Sequence, residues 1–236
     1  CLWLGSGICP PRTIPLGPQF KLFVMDKGNL NKVHFLPWVG KDYATGGIFK
    51  KRIMVLGESH IADPDSPEIN DDANFTTKDV EWYLGRKESD IPRWMNTFTK
   101  FEEALAGKEL AENEEKEVWN SLLFYNYLQT TATHAREDRI REEFDNSADA
   151  FFEVLNHFEP EYIIAWGTGR LYNYTPGIHW QPGEFLSFDG VTGKTGTYQL
   201  DNGHLVKVLF ISHPSTAFSW TKWHEVIKRF LRDSSN

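Results

Sequence analysis

Four short apolar runs stand out along the chain, and each is bounded by residues that favour turns. They cover residues 53–56, 122–125, 162–165 and 206–211. Most are nearly continuous rather than alternating, which is the pattern of strands buried on both faces of a parallel sheet. The sequence therefore predicts four core strands.

Stretches with helical periodicity lie between these runs. A capping pattern at residues 76–79 precedes the mostly apolar residues 80–84, and residues 92–105 carry aromatic and apolar side chains at helical spacing. Residues 146–158 and 220–231 complete the helical set, and the acidic run 109–117 is predicted to be the solvated face of a further helix. The glycine-rich residues 183–203 predict a hairpin or excursion before the last core strand.

This alternation of strands and helices predicts a three-layer α/β/α fold around a mostly parallel four-stranded central sheet. The 236 residues show no composition break, so we expect one domain over residues 25–236. Residues 1–24 are rich in Gly and Pro and precede Met25, which predicts an N-terminal extension outside the core. The alternative is that residues 14–24 form an edge segment that packs Phe20 and Phe23.

Composition narrows the classes of function. With 40% hydrophobic and 14% aromatic residues the chain is too apolar for disorder, and a packed core is expected. The formal net charge of −8 gives no overall basic field, so a nucleic acid would have to be held by a local patch. The basic side chains that we expect to contact phosphate are Lys222, Lys228, Arg170 and Lys194.

Cysteine usage and hydropathy limit cofactors and location. Cys1 and Cys9 are the two cysteines, so the chain can build neither a disulfide framework nor a four-cysteine zinc or iron–sulfur site. No stretch of the sequence approaches the roughly 20 apolar residues that a membrane span needs. We therefore expect a cytoplasmic protein, a monomer, with no metal, no organic cofactor and no membrane partner.

Polar residues follow each of the four predicted strands. They are Gly57-Glu58-Ser59-His60, then Asn126, then Gly167-Thr168-Gly169, and finally His213-Pro214-Ser215. Because the carboxyl ends of parallel strands meet at one edge of a sheet, where such folds bind ligands, we expect these residues to converge.

Three of these segments resemble the signature regions of uracil-DNA glycosylases. They are Gly57-Glu58-Ser59-His60, the Leu-Phe-Tyr-Asn-Tyr segment that ends at Tyr127, and the His-Pro-Ser loop that begins at His213. Residues 35–40 and 215–223 further resemble a less-studied bacterial branch of that superfamily. The resemblance covers roughly residues 33–231, and the His-Pro-Ser loop is its most specific part.

The resemblance implies a base-flipping hydrolase of DNA repair, acting on DNA that contains uracil or a related damaged base. Cleavage of an N-glycosidic bond builds positive charge on the sugar and negative charge on the base. The implied catalytic residues are accordingly Glu58, to orient water and stabilise the sugar, and His213, to donate a hydrogen bond to the departing base. Asn126 would read the base edge.

The remaining contacts implied by the resemblance involve stacking and phosphate binding. Tyr125, Tyr127 or Phe75 would stack on the extruded base. The side chains expected to hold a DNA phosphate are Ser212, Ser215 and Ser219.

The first motif departs from the pattern of the family. In its best-known members an Asp stands two residues after the first Gly, whereas this chain has Ser59 there and Glu58 one position earlier. Asp63 and Asp65 are downstream alternatives for the acid, although both also suit a turn.

Each candidate residue also has an ordinary structural interpretation, and two other functions stay open. Glu58 could cap the next segment, Asn126 could satisfy backbone groups and His213 could close a turn before proline. The first alternative function is a non-catalytic or differently specialised member of the same fold that binds a nucleobase or nucleic acid. The second is a hydrolase with Ser59 as nucleophile and His213 as base, although the second Gly of a nucleophile elbow is missing.

Overall fold

A computed structural model describes residues 30–62, 65, 67–86, 92–134, 139–215 and 217–232 of the chain. The predicted extension, residues 1–24, and its alternative as an edge segment lie outside the described residues. Asp63 lies outside them as well. No helix in the described ranges has the length and apolarity to cross a membrane.

The centre of the fold is a mixed sheet of seven strands. Their order across the sheet is β1-β3-β2-β4-β7-β6-β5. The strands are β1 Trp38–Val39, β2 Ile53–Gly57, β3 Leu122–Asn126, β4 Tyr162–Trp166, β5 Trp180–Phe188, β6 Val191–Gln199 and β7 Leu205–Ile211.

The four predicted strands correspond to β2, β3, β4 and β7, which lie side by side and pair in parallel. The prediction of a four-stranded sheet is nevertheless wrong. β1 adds an antiparallel edge beside β3, and the β5–β6 hairpin extends the sheet antiparallel to β7 on the other side. The sequence pattern missed these three strands because none of them is a continuous apolar run of strand length. β1 has two residues, β5 is largely exposed, and β6 is rich in Thr and Gly.

The predicted hairpin itself is present in residues 183–203. Its turn is Asp189-Gly190, and both residues have positive φ, 43° and 83°, as the tight hairpin turns with right-handed twist require. Thus the sequence indicated the hairpin, whereas its pairing with the last core strand follows only from the structure.

In the part of the chain that the structure describes, six α-helices cover the sheet. They are α1 Phe75–Gly85, α2 Asn96–Ala106, α3 Glu112–Asn120, α4 Arg141–Phe158, α5 Arg170–Tyr174 and α6 Trp220–Arg232. The predicted cap at residues 76–79 lies inside α1, which begins at Phe75 after an Asn74 that makes no side-chain capping bond. The acidic run forms most of α3, but its Glu115 is buried against Arg86 at 2.7 Å.

Alternate residues of the central strands enter two separate cores, as expected for a sheet covered on both faces. Met54 and Leu56 of β2 belong to the core beneath α4 and α5, whereas Ile53 and Val55 belong to the core beneath α1, α2, α3 and α6. The three-layer α/β/α arrangement is therefore present. The side of the sheet that a residue faces decides which helices support it.

Candidate functional site

The polar segments that follow β2, β3, β4 and β7 lie at one edge of the sheet. Glu58 follows β2, Asn126 ends β3, Gly167 follows β4 and His213 follows β7 shortly after Ile211. Because the four strands are parallel and adjacent, their carboxyl ends share this edge. Asn126 and His213 are three strand spacings apart, roughly 14 Å of sheet at about 4.8 Å per strand.

Glu58 forms an ion pair with Arg170 at the start of α5. Arg170 Nη2 lies 2.7 Å from Glu58 Oε1, and the two side chains are 34% and 20% exposed. Burial raises the pKa of Glu58 above that of a free carboxyl, whereas the charge and hydrogen bond of Arg170 and the charge of Arg139 oppose this rise. Glu58 is thus a partly buried acid whose charged form depends on Arg170.

Asn126 is buried at the end of β3 and lies beside Gly57 of β2. The two residues are register partners, and a Cβ atom on Gly57 would lie 2.0 Å from Asn126 Oδ1. The amide therefore occupies space that only glycine leaves open at position 57. Its nitrogen Nδ2 contacts His60, at 3.3 Å from Nδ1 and 3.2 Å from Nε2 of the imidazole.

His60 is a site residue to which the sequence assigned no role. Its side chain is buried, with Nδ1 3.2 Å from Asp79 Oδ2 and Nε2 3.0 Å from the hydroxyl of Thr76. A carboxylate can only accept, so Nδ1 carries a proton. The imidazole stacks on Phe75 with centroids 4.2 Å apart and an interplanar angle of 11°, and Phe35 packs edge-on at 5.0 Å.

A sequence signal for this cluster exists in hindsight. Thr76 and Asp79 are three residues apart on α1, so they share a helix face and reach the same neighbour. That face is directed towards the loop after β2. The combination of a histidine after the strand with Thr and Asp at this spacing was available from the sequence alone.

The structure brings one of the three predicted stacking rings to the edge. Phe75 lies there, but its face is taken by His60. Tyr125 and Tyr127 are fully buried in the core beneath α4, where the Tyr127 hydroxyl donates to the carbonyl oxygen of Phe144. Neither tyrosine ring is available at the edge, because side chains alternate along β3 and Asn126 faces the opposite core.

His213 is held in one orientation by its own loop. The backbone N–H of Ser215 donates to His213 Nδ1 at 3.2 Å, and Ser215 Oγ lies 2.8 Å from the same atom. Nδ1 therefore accepts, and a neutral imidazole carries its proton on Nε2. Desolvation lowers the pKa of His213, and its ring packs edge-on against Trp166 at 6.0 Å, although the residue as a whole is exposed.

The predicted phosphate ligands divide into two groups. Ser212 and Ser215 flank His213 at the edge, whereas Ser219 pairs with Thr221 at 3.0 Å just before and within the first turn of α6. Ser59, the nucleophile of the alternative hydrolase, follows β2, while the hydroxyl that contacts His213 belongs to Ser215. The structure thus gives no support to a Ser59–His213 pair.

Of the four basic residues predicted to contact phosphate, two lie at the edge of the sheet and two lie on α6. Lys194 Nζ donates to the carbonyl oxygen of Thr168 at 2.8 Å and lies over the Tyr172 ring, so it is at the edge together with Arg170. Lys222 and Lys228 lie on α6 and pair with Asp189 and Glu225. Arg170 and Lys194 therefore form a small basic group at the turn after β4 despite the acidic total.

A nucleobase held between Glu58, Asn126 and His213 would need a pocket at this edge, whereas two concavities of the described part of the chain lie elsewhere. One concavity lies beside Phe152 and His179, and another lies beside Glu184 and Lys207. At the edge, His60 fills the space between Phe75 and Asn126. Of the two alternative acids downstream of Glu58, the structure describes Asp65, which lies exposed in a turn.

Comparison with known proteins adds nothing to this picture, because no family model matches the chain and no curated protein matches it significantly.

Proposed function

We propose that this protein hydrolyses the N-glycosidic bond of uracil or a related damaged base in DNA. The observation that best supports the proposal is the fixed imidazole of His213. With Nδ1 accepting from Ser215, its Nε2–H is a preoriented donor, and a lowered pKa favours the neutral ring. A neutral donor at the base end is suited to the negative charge that develops on a departing base.

Glu58 is suited to the sugar end of the same bond. A carboxylate there can orient a water molecule and stabilise an oxocarbenium-like sugar. Burial disfavours its charged form, and Arg170 at 2.7 Å offsets that effect. The ion pair therefore helps to maintain the protonation state that this role needs.

Basic and hydroxyl groups near the edge are suited to a DNA backbone. Lys194 donates to the turn after β4, Arg170 begins the helix that follows this turn, and Ser212 and Ser215 belong to the His213 loop. Such groups would position an extruded nucleotide without reading its sequence. They also provide the local patch that a protein of net charge −8 requires.

A second function is favoured by a specific observation. The carboxylate of Glu58 is engaged by Arg170, and the amide of Asn126 is engaged by His60. A protein that binds a nucleobase or a nucleic acid end without hydrolysis would tolerate both contacts. This non-catalytic or differently specialised function is our alternative.

An abasic-site assay separates the two functions. Uracil-containing single- and double-stranded oligonucleotides are incubated with the wild type, and abasic sites are revealed by alkaline strand cleavage. Hydrolysis predicts abasic sites that depend on Glu58 and His213, with His204→Ala as a matched control at the opposite end of β7. Binding of the oligonucleotides without any abasic site would favour the binding function.

A further inference from the structure

The His60 imidazole occupies a slot with the features of a binding site for a planar heterocycle. One wall is the Phe75 ring, stacked at 4.2 Å, and another is the Asn126 amide. Phe35 closes an edge, while Asp79 and Thr76 present an acceptor and a hydroxyl at the rim. Proteins hold an extruded base by stacking it on aromatic side chains and by hydrogen-bonding its edge, and Phe75 with the polar groups of Asp79 and Thr76 would supply these contacts here.

The amide of Asn126 approaches the imidazole from above. Its nitrogen is nearly equidistant from the two ring nitrogens. An approach in the ring plane at those distances would press the amide against the Cε1 atom between them. The amide therefore lies over the ring, and His60 is packed between it and Phe75.

We infer that His60 is a built-in occupant of the base slot, and that a pyrimidine-sized base enters only when the imidazole swings out. His60 can play this part only if the proposed base-binding role of Asn126 holds. Both groups assigned to the base, the Phe75 ring and the Asn126 amide, are engaged by this one side chain. A base that uses them must displace His60.

The displacement is a rotation of the side chain rather than an opening of the loop. The backbone on both sides is tied to the segment after β3, with Leu128 N–H donating to the Glu58 carbonyl at 2.8 Å. Ala132 N–H donates to the His60 carbonyl at 2.8 Å, and Ala62 N–H donates to the Ala132 carbonyl at 2.7 Å. The slot walls can thus stay in place while the imidazole leaves.

The closed state raises the intrinsic affinity that any ligand needs to occupy the slot. A ligand must outcompete a stacked ring with two polar partners, so its apparent affinity is lowered by the fraction of molecules in which the slot is empty. Weak or incidental heterocycles are excluded. A nucleotide tethered by its phosphates to the nearby basic group has the additional binding energy to displace His60.

The test is free-base binding by the full chain, measured by calorimetry. The His60→Ala protein should bind uracil at least about tenfold more tightly than the wild type, since nothing has to leave the slot. Free imidazole should raise the melting temperature of His60→Ala and leave that of the wild type unchanged. His60→Phe keeps the slot filled and should not gain affinity, and Phe75→Leu in the His60→Ala background should lose the gain.

Asp79→Asn gives an independent variant in case His60→Ala fails to fold. It weakens the hold on the imidazole without emptying the slot, and uracil affinity should rise. His204→Ala is the matched control, since His204 bonds to the Pro160 carbonyl at the far end of β7. Uracil binding to the wild type that equals or exceeds binding to His60→Ala and Asp79→Asn would overturn the inference.

Failure of the inference and failure of the proposed function give different results. A wild type that forms abasic sites, together with variants that gain no uracil affinity, would overturn the role of His60 as an occupant of the slot. The proposed hydrolysis would still stand. Variants that gain uracil affinity, together with no abasic sites from any protein, would support the role of His60 in the base slot. The proposed hydrolysis would then be rejected.

Discussion

The side-chain oxygen of Asn126 lies so close to Gly57 that a Cβ atom on Gly57 would be 2.0 Å from it. The two residues end neighbouring parallel strands in register. The absence of a side chain at Gly57 therefore determines where the Asn126 amide can lie. The packing of His60 against that amide depends on this position.

Gly57→Ala should lower the free energy of unfolding by about 1–3 kcal/mol, because the new methyl group overpacks a buried contact. It should also weaken base binding by pushing Asn126 from its position. Urea denaturation and uracil calorimetry measure the two effects. Gly177→Ala is the control, since its added Cβ would meet no atom within 4 Å. Equal stability of the two variants would show that Asn126 moves aside at no cost.

Glu58→Gln and His213→Ala should each lower the rate of base release by roughly 10²-fold or more, the scale for loss of a positioned acid–base or electrostatic group. His213→Gln should retain part of the activity, because its amide still offers an N–H donor. Single-turnover cleavage of a uracil oligonucleotide measures these rates. Full activity of Glu58→Gln would instead assign the acid role to Asp63 or Asp65.

Asn126→Asp should mainly change base selection, because an amide donor becomes an acceptor. We expect the ratio of uracil to competing bases released from matched oligonucleotides to fall. Overall folding should be preserved, as checked by circular dichroism. An unchanged ratio would mean that Asn126 supports His60 and the strand end rather than reading a base.

Arg170→Gln should shift the acidic limb of the pH–rate profile to higher pH. Arg170 stabilises the charged form of Glu58, so its removal raises the pKa of Glu58 further above the ordinary value. If the carboxylate is the active form, activity is lost as pH falls through that pKa, and the loss begins at higher pH in the variant. Arg141→Gln, at an exposed ion pair with Asp145, should leave the limb in place.

A buried acid away from this edge predicts a pH dependence of stability. Glu102 accepts hydrogen bonds from Tyr83 and Trp119, each at 2.6 Å, and is fully buried. Burial, with the charge and hydrogen bond of Glu115, raises the pKa of Glu102 to about 8. The unfolded chain loses this proton near the ordinary value of 4.5, whereas the folded chain keeps it to higher pH.

The stabilisation from protonated Glu102 is therefore complete below pH 4.5 and is lost as pH rises towards 8. Relative to Glu102→Gln, the wild type should lose at least about 1 kcal/mol of unfolding free energy between pH 5 and pH 8. Urea titrations of both proteins at the two pH values measure the difference. Parallel pH dependence of the two proteins would contradict the raised pKa.

The central strands could be predicted because burial on both faces leaves a continuous apolar run, as in residues 53–56. β5 could not be predicted in this way, since an edge strand that faces solvent needs no such run, and Phe185 is 61% exposed there. The predicted start of α1 was also wrong. The residues Thr76 and Asp79 that look like a cap instead contact His60.

The convergence of Glu58, Asn126 and His213 at one edge follows from strand direction alone and was accessible from the sequence. The direction in which individual side chains point was accessible too, because Tyr125 and Tyr127 must face away from Asn126 on an alternating strand. The ion pair of Glu58 with Arg170 could not be predicted from the sequence, since it joins residues that are distant in sequence and depends on how α5 packs.

The division of the fold into two cores also separates the supports of Glu58 and Asn126. Glu58 is supported from the α4–α5 side through Arg170, whereas Asn126 is supported from the α1 side through His60. A substitution in α5 should therefore act first on Glu58, and one in α1 should act first on Asn126. Under the proposed function, the acid and the base reader are open to independent change from opposite faces of one sheet.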